Sequence, residues 1–589
     1  KFTEKTKKVR NAVIKKGIVS TGEKNFCEEK MIIADSSIFK VFTLPLLIGD
    51  PDKVLSQPNT IVISRSIADK YFGGNDPIGK TLRYNRAIDL TISGIMENIP
   101  SNSHLKFDMV TGMSNARSFF WSDFLENRMN TVLFTYFFAQ PGVDFEKLGK
   151  SISESTKEYN NGGDFGDNQL YHIQPLTSIH LHSSMGGEFS PNSDIKSVYI
   201  LGTIALLILI VACINYINLS FSVNSRRSTE LGMRKILGAK RIQLIFLYLS
   251  DASILVGISV LISILIIHDQ LQWFGNLTGA DLMNNIPAKK IIPGIVLLFL
   301  IITLITGLVS GWKSSLISPM ETIKKPLSSG KKFIGAQGIL ILSQFGISIA
   351  LVSSTLFVYK QMGFMKNLNL GFTKDQLMII PLNDNNIRSK IKTLKQELLS
   401  NPAILAATVT YDLPGKLIWV TSIKYDGMNE LMPSTMTYLE IDKDFVKTYG
   451  VGLKEGYLPD DTASHFSGTQ YLMNESAVKK LGWGNPVGKK FSCYNGKDGF
   501  VTGIISDFHF KSLHEEIEPL FLFIRETDPK YLTVKLSTTG ISASIDFIKK
   551  SWNKMEPDSP FEYIFYDNFY DQLYKKEALF GKIIFIFSA

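Results

Sequence analysis

Cysteine is nearly absent from this chain. Cys27, Cys213 and Cys493 are the only three in 589 residues, which excludes a disulfide framework and leaves no C-x-x-C pair for a metal or a redox centre. Each reads as a small buried hydrophobe. A signal peptide is also missing: the chain opens on K1-F-T-E-K-T-K-K-V-R10 and closes on the apolar run I583-I-F-I-F-S-A589, so both ends read as truncated. No Ser/His/Asp or paired-carboxylate spacing can be assembled, so catalysis is not expected. Nor is a cofactor or metal site. The paired His180 and His182 of S178-I-H-L-H-S183 read as alternate residues of a strand, which share a face but bring no third ligand. The net charge of +9 does not imply nucleic acid, because the basic residues gather beside apolar runs.

Charge itself is absent from four long stretches, and these are the most informative part of the sequence. None occurs between Lys196 and Arg226, from Ile291 to Trp312, or from Phe333 to Tyr359, and the run Ile242 to Ile267 is broken only by Asp251. About 20 apolar residues cross a bilayer, so membrane spans are expected at 198–219, 242–267, 291–312 and 333–360, with the start of another at 580–589. Asp251 reads as an interfacial carboxylate, and Asn215 and Asn218, a helical turn apart, as interhelical hydrogen bonds. The loop 225–241 holds six basic residues and one acidic, the loop 313–332 five and one, while His268 to Lys290 has no such bias. Basic residues accumulate on the cytoplasmic side. Loops 225–241 and 313–332 are therefore expected inside, and the large polar segments 1–195 and 361–579 outside, as two α+β domains on a helical transmembrane bundle.

One stretch, G74-N-D-P-I-G-K-T81, fits the phosphate-cradling pattern G-x-x-x-x-G-K-[ST]. Its context is reversed. A phosphate loop follows a strand and opens a helix, whereas S64-R-S-I-A-D-K-Y-F72 has helical spacing and T81-L-R-Y and D89-L-T-I-S-G-I95 read as strands beyond it. The window 64–96 recurs 409 positions later as M473-N-E-S-A-V-K-K-L-G-W-G-N-P-V-G-K-K-F491 and F500-V-T-G-I-I505. Pro77 falls on Pro486, Gly79 on Gly488, Lys80 on Lys489 and Gly94 on Gly503. The second copy loses the phosphate-loop pattern and keeps the turn. Upstream, D35-S-S-I-F-K-V-F-T-L-P-L-L-I-G49 echoes D442-K-D-F-V-K-T-Y-G-V-G-L-K-E-G456, so the outer domains are a duplicated pair.

These residues resemble the MacB/FtsX-like ABC-transporter permeases, in the duplicated form common in Bacteroidota. The resemblance rests on F39-K-V-F-T-L-P-L-L-I-G-D-P with D76-P-I-G-K and I99-P-S-N-S-H-L, then A212-C-I-N-Y-I-N-L219, R226-R-S-T-E-L-G-M-R-K-I-L-G-A239, S343-Q-F-G-I-S348 and N369-L-G-F-T-K-D375. It implies a multi-pass inner-membrane permease without an ATPase of its own. Such a permease partners a cytoplasmic ABC ATPase, and a periplasmic adaptor or envelope protein is a further expected partner. The expected organisation is a MacB-like periplasmic core domain over 1–195, an FtsX-like region with three spans over 196–332, a fourth span at 333–360 and a second outer domain over 361–579. A further inner loop resembling 226–239 is expected beyond residue 589.

The family's docking element maps onto 226–239. At 100° per residue Met233, Ile236 and Leu237 share an apolar arc opposite Arg227, Arg234 and Lys235. Such a helix would rest on the membrane surface, with Gly238 and Ala239 ending it. Leu231 falls within the basic side, where neither membrane nor water explains it, so Leu231 with Glu230, Arg234 and Lys235 is expected to meet the ATPase. The competing expectation is a basic juxtamembrane helix that holds anionic lipid. Two functions remain open: a machine that exports or extracts a peptide, drug or lipoprotein-like substrate, and a non-transporting signal transmitter that activates an envelope hydrolase or sensor.

Overall fold

The computed structural model describes residues 8–588 apart from 15, 23, 121, 127–131, 160–170, 184, 186, 187, 190, 191, 227, 279–287, 316–335, 417, 418, 429–433, 460–467, 494–497, 526–528 and 558. The chain forms two compact units. One comprises Lys1–Ile99, Ser103–Asn192 and Leu368–Tyr574, the other Pro100–Asn102, Ser193–Asn367 and Lys575–Ala589.

The first unit contains both outer copies, each built on a mixed sheet. In the first copy eight strands lie in the spatial order Phe134–Phe137, Lys8–Ile14, Met31–Ala34, Met109–Gly112, Thr60–Ser64, Ile88–Met96, Thr81–Tyr84 and Gly17–Ser20. The second copy repeats that order with Tyr531–Leu536, Ile404–Thr410, Ser434–Ile441, Leu520–Ile524, Thr469–Asn474, Gly499–Ile505, Lys490–Cys493 and Trp419–Tyr425. Directions agree as well. The third and fourth strands pair parallel in both copies, as do the fifth and sixth, and the other neighbours pair antiparallel. Even a hydrogen bond pattern is shared: Arg10 N–H donates to the Asp35 carboxylate while Asp35 N–H donates to Arg10 O, and Val409 and Asp442 do the same.

Alternating patterns dictate the cores. Ile61 and Ile63 bury against Tyr71, Leu82 and Ile92 on one face of the first sheet, and Val62 buries against Phe39, Phe107 and Val110 on the other. A strand with both faces covered reads as a continuous apolar run, as I61-V-I63 does. The second copy has the matching core around Tyr471, Met473, Phe491 and Phe521. In the second copy the strand Leu377–Pro381 and the helices Ile391–Leu399 and Ile541–Met555 enclose a further core around Trp552.

Two sequence expectations are corrected here. The segment around His180 and His182 is a helix, Leu176–His182, not a strand, so residues two apart point about 200° apart rather than to one face. The copies also do not keep one offset through the helix before the turn. Ser64 and Asn474 are the equivalent N-caps, 410 positions apart, each accepting a backbone N–H three residues on, whereas the C-cap glycines Gly73 and Gly482 are 409 apart. The second helix is one residue shorter.

The second unit is helical. Helices long and apolar enough to cross a membrane run over Ile195–Val223, Arg241–Leu277, Ile291–Trp312 and Gly338–Asn367. Small residues let two of these helices approach closely: a Cβ on Gly307 would lie 3.0 Å from Leu249 Cα, and one on Gly311 3.1 Å from Ile245 Cα. Among the described residues the expected interhelical hydrogen bonds from Asn215 and Asn218 are not made. Asn215 is exposed, and enclosed Asn218 Oδ1 meets no donor among the described residues. Helix Lys575–Ser588 lies beside Ala336–Asn367, with Gly581 facing Val358.

Candidate functional site

Two places carry the sequence's candidate chemistry, the lysine turn of the outer copies and the basic loop between the first two spans. In the first, helix Arg65–Phe72 ends at Gly73 in the left-handed region and strand Thr81–Tyr84 begins eight residues later. The chain reverses on a type II turn in which Lys80 N–H donates to Pro77 O at 3.1 Å and Gly79 takes the positive φ of 77° that this turn demands. Gly79 N–H donates to Ile92 O at 2.9 Å, and Ile92 N–H returns a bond to Lys80 O. The second copy reproduces each bond: Lys489 to Pro486, Gly488 to Val501, and Val501 to Lys489, with Gly488 at φ 87°. Backbone N–H groups that would face a phosphate are thus spent on the sheet. The Lys80 ammonium sits 5.0 Å from the Phe72 ring centroid, and that of Lys489 5.1 Å from Trp483, so both lysines rest on an aromatic ring.

The second place is the helix Ser228–Ile236, between helices Ile195–Arg226 and Arg241–Thr278. Thr229 and Glu230 occupy its first turn and Arg234 and Lys235 its last, the charge order that the helix dipole favours. Arg234 pairs with Glu230 at 2.9 Å, one turn apart on an exposed face. Lys235 lies below the ordinary lysine range because of burial and the charge of nearby Arg241. Leu237 is the C-cap rather than a helical residue, and at 82% exposure it is the most open of the apolar trio that includes Met233 and Ile236. Gly238 at φ 95° closes the helix: its N–H donates to Lys235 O and that of Ala239 to Arg234 O, a Schellman stop. Lys240 N–H then donates to the Gln243 side chain at 2.8 Å, opening the next helix. Arg227 lies outside the described residues. Leu231 is on the helix, but its side chain also lies outside them. Most of the second basic loop, 316–332, is outside them too.

The structure therefore brings Glu230 and Arg234 together and leaves Met233, Ile236 and Leu237 uncovered. Among the described residues no group of three or more His, Cys, Asp or Glu could hold a metal. Cys27 is half-buried, and burial pushes its thiol up to about 12, so it is held as a thiol rather than a reactive thiolate.

Known proteins share these parts. Residues 5–155 match the MacB-like periplasmic core domain and residues 202–319 the FtsX-like permease C-terminal domain. The macrolide export ATP-binding/permease protein MacB of Neisseria gonorrhoeae is 21% identical over 245 residues, 40% of this chain and 35% of that protein. Its counterpart in Neisseria meningitidis is 22% identical over 227 residues, 37% of this chain and 32% of that protein. The chain thus spans about a third of the length of the curated relatives it matches. Among solved structures, a permease-protein domain from Porphyromonas gingivalis aligns with TM-score 0.26 and 23% identity, covering 31% of this chain and 78% of that one. The periplasmic region of MacB from Actinobacillus actinomycetemcomitans aligns with TM-score 0.26 and 16% identity, covering 35% and 97%. With a MacB-like periplasmic core domain before the membrane helices and an FtsX-like region across them, the chain is built of MacB/FtsX-like permease domains and is an inner-membrane protein with periplasmic α+β domains.

Proposed function

We propose that this chain is the permease subunit of an ABC transporter of the MacB/FtsX type, in which a separate cytoplasmic ATPase docks on the helix Ser228–Ile236. ATP binding and hydrolysis shift the attached spans and so move the outer domains, which export or extract a peptide, drug or lipoprotein-like substrate. The observation that carries this reading is a short, capped helix bearing exposed charge and uncovered apolar residues, set between two membrane helices inside the FtsX-like segment. The loops 225–241 and 313–332 then lie inside with the ATPase, and 1–195 and 361–579 lie outside, divided from the spans as the sequence reading divides them. No nucleotide site is assigned to the chain itself, because Lys80 and the N–H groups around it are engaged at a helix-to-strand turn. A periplasmic adaptor is a further partner in this reading.

The test is a pair of substitutions. Leu231→Asp should weaken co-purification of the ATPase and permease-stimulated hydrolysis in nanodiscs, because a buried apolar contact is replaced by a charge needing a partner. Met233→Asp should instead lower permease abundance by disturbing how the helix lies on the membrane. If Leu231→Asp leaves both readouts at wild-type levels, with the second inner loop disabled as well, the helix is a basic anchor and the docking role is wrong.

A further inference from the structure

The hairpin between Thr81–Tyr84 and Ile88–Met96 turns on Asn85 and Arg86, both at positive φ, 46° and 59°. Ala87 N–H donates to Tyr84 O at 3.0 Å, closing a β-turn with Asn85 and Arg86 at its centre, both at the positive φ that Asn-Gly normally supplies, within a three-residue connection that sets Tyr84 opposite Ile88. Arginine in the glycine slot is strained. The turn is held from behind, since Asn85 Oδ1 accepts from Ile18 N–H and Asn85 N–H donates to Ile18 O, both at 2.8 Å. Its strained residue points the guanidinium into the other copy. One arm bonds Glu556, and the other lies 3.6 Å from Asp384. Those carboxylates are only 6% and 2% exposed. Asp384 also caps the helix Asn385–Ser389, and Glu556 follows the helix Ile541–Met555 and receives Lys390 at 3.3 Å. Burial raises the Glu556 carboxyl, but the bonds from Arg86 and Lys390 more than offset this, leaving it below the usual carboxylate range.

Two further contacts lie along the same junction. Lys16 bridges Glu29 of its own copy at 2.8 Å and Glu562 of the other at 2.9 Å, and Asn383 Nδ2 donates to Cys27 Sγ at 3.3 Å. The corresponding connection of the second copy, Y494-N-G-K497, is outside the described residues. Its sequence carries the Asn-Gly pair and no arginine. Arginine at this turn is thus confined, in sequence, to the copy in which it reaches across.

We infer that the Asn85–Arg86 turn is a latch between the two outer copies, a guanidinium hydrogen-bonded to Glu556 and ion-paired with Asp384 on one side of the second copy, and that it makes the pair move as one body. A guanidinium suits this because one arm hydrogen-bonds Glu556 while the delocalised charge reaches ion-pair range of Asp384, a span that a compact ammonium does not cover with the same geometry. The inference does not depend on ATPase docking or on what the transporter carries.

Hydrogen exchange of the full chain in nanodiscs tests it. Arg86→Gly removes the guanidinium while giving the turn its preferred residue, so the first sheet should hold. Amides of 383–390 and 548–557 should exchange about tenfold faster or more, while those of Thr60–Ser64 and Ile404–Thr410 keep their wild-type rates. Glu556→Gln should accelerate the same segments, and the double variant should go no further than the faster single one. Arg86→Lys, which keeps the charge and the strain, should fall between. Unchanged exchange at 383–390 and 548–557 in both single variants would overturn the latch. So would acceleration confined to 81–96, which would mean that Arg86 serves only its own sheet, and so would simple additivity in the double variant.

Discussion

The two outer copies arrange eight strands in one order and one set of directions, yet the side chains that fill them differ at almost every buried position around the shared turn. Ile67, Ala68 and Tyr71 cover the first sheet where Ala477, Val478 and Leu481 cover the second. What persists is what the backbone requires. Both copies keep an N-cap side chain, a glycine at the helix C-cap and a glycine at the positive-φ turn position, and both satisfy the same N–H groups with the same carbonyls. A core can be refilled by any side chains of suitable total volume, whereas a left-handed residue has few substitutes. The comparison also explains why the phosphate-loop resemblance exists in only one copy: its glycines and lysine serve the turn, and the remaining match is not repeated.

The copies differ at their edges. The second sheet closes on itself, because Trp419–Tyr425 pairs with both Lys490–Cys493 and Ser434–Ile441, while the first continues to Asn25–Glu28. After the strands Phe134–Phe137 and Tyr531–Leu536 each copy has a 15-residue helix, Phe145–Tyr159 and Ile541–Met555. The second is packed on the helix Ile391–Leu399 and the strand Leu377–Pro381, which precede its strand Ile404–Thr410, in a core around Trp552. The largest way to break the comparison is therefore Trp552→Ala. Its side chain is 1% exposed and its indole N–H donates to Ser559 O, so the second copy should lose about 3–5 kcal/mol while the strands of the first keep most of their protection. Denaturant-dependent hydrogen exchange would resolve the two copies, and equal loss in both would show that they fold as one unit.

A smaller effect sharpens the comparison. Gly79→Val and Gly488→Val should each cost about 1 kcal/mol or more, through the positive φ alone at Gly79, where an added Cβ meets nothing within 4 Å. Matched losses in denaturant midpoints would confirm one structural role in both copies, and a loss at only one would refute it. The smallest effect is at the lysines. Lys80→Ala and Lys489→Ala should each cost about 0.5–1 kcal/mol from the lost ring contact. Neither should change nucleotide labelling of the purified chain, and saturable labelling abolished by Lys80→Ala would restore the phosphate-loop reading.

Much of the fold was legible because its signals are local or repeated. Long uncharged runs fix the spans, and the order helix, turn, strand around Pro77 and Gly79 is written in caps and glycines. The His180 segment was misread because seven residues carry too little periodicity to separate a helix from a strand. Pro175 at its N-cap was the available signal for a helix start. The one-residue offset was missed because a matching glycine and proline downstream hid a shorter helix upstream. In the basic loop, spacing foresaw the apolar residues and the stop at Gly238 but not the Glu230–Arg234 pair, which depends on side-chain geometry. Nothing local in the sequence announces the role of Arg86, since its partners lie about 300 and 470 residues away and the only signal is a turn at Asn85 and Arg86 without glycine.

The shorter helix of the second copy has a consequence for tracing the descent of these domains. The residue it lacks is Phe72, the ring beneath Lys80, and the loss falls just before the C-cap glycine. Just after that glycine the second copy has Trp483, which takes up the place beneath Lys489. The aromatic platform has crossed from one side of the cap to the other without the lysine losing its seat. An alignment of the two copies, compared column by column, sets Phe72 against a gap and Trp483 against Gly74 and so misses the contact that links them. What the copies share is a point in space, a ring beneath a lysine, that two different columns supply.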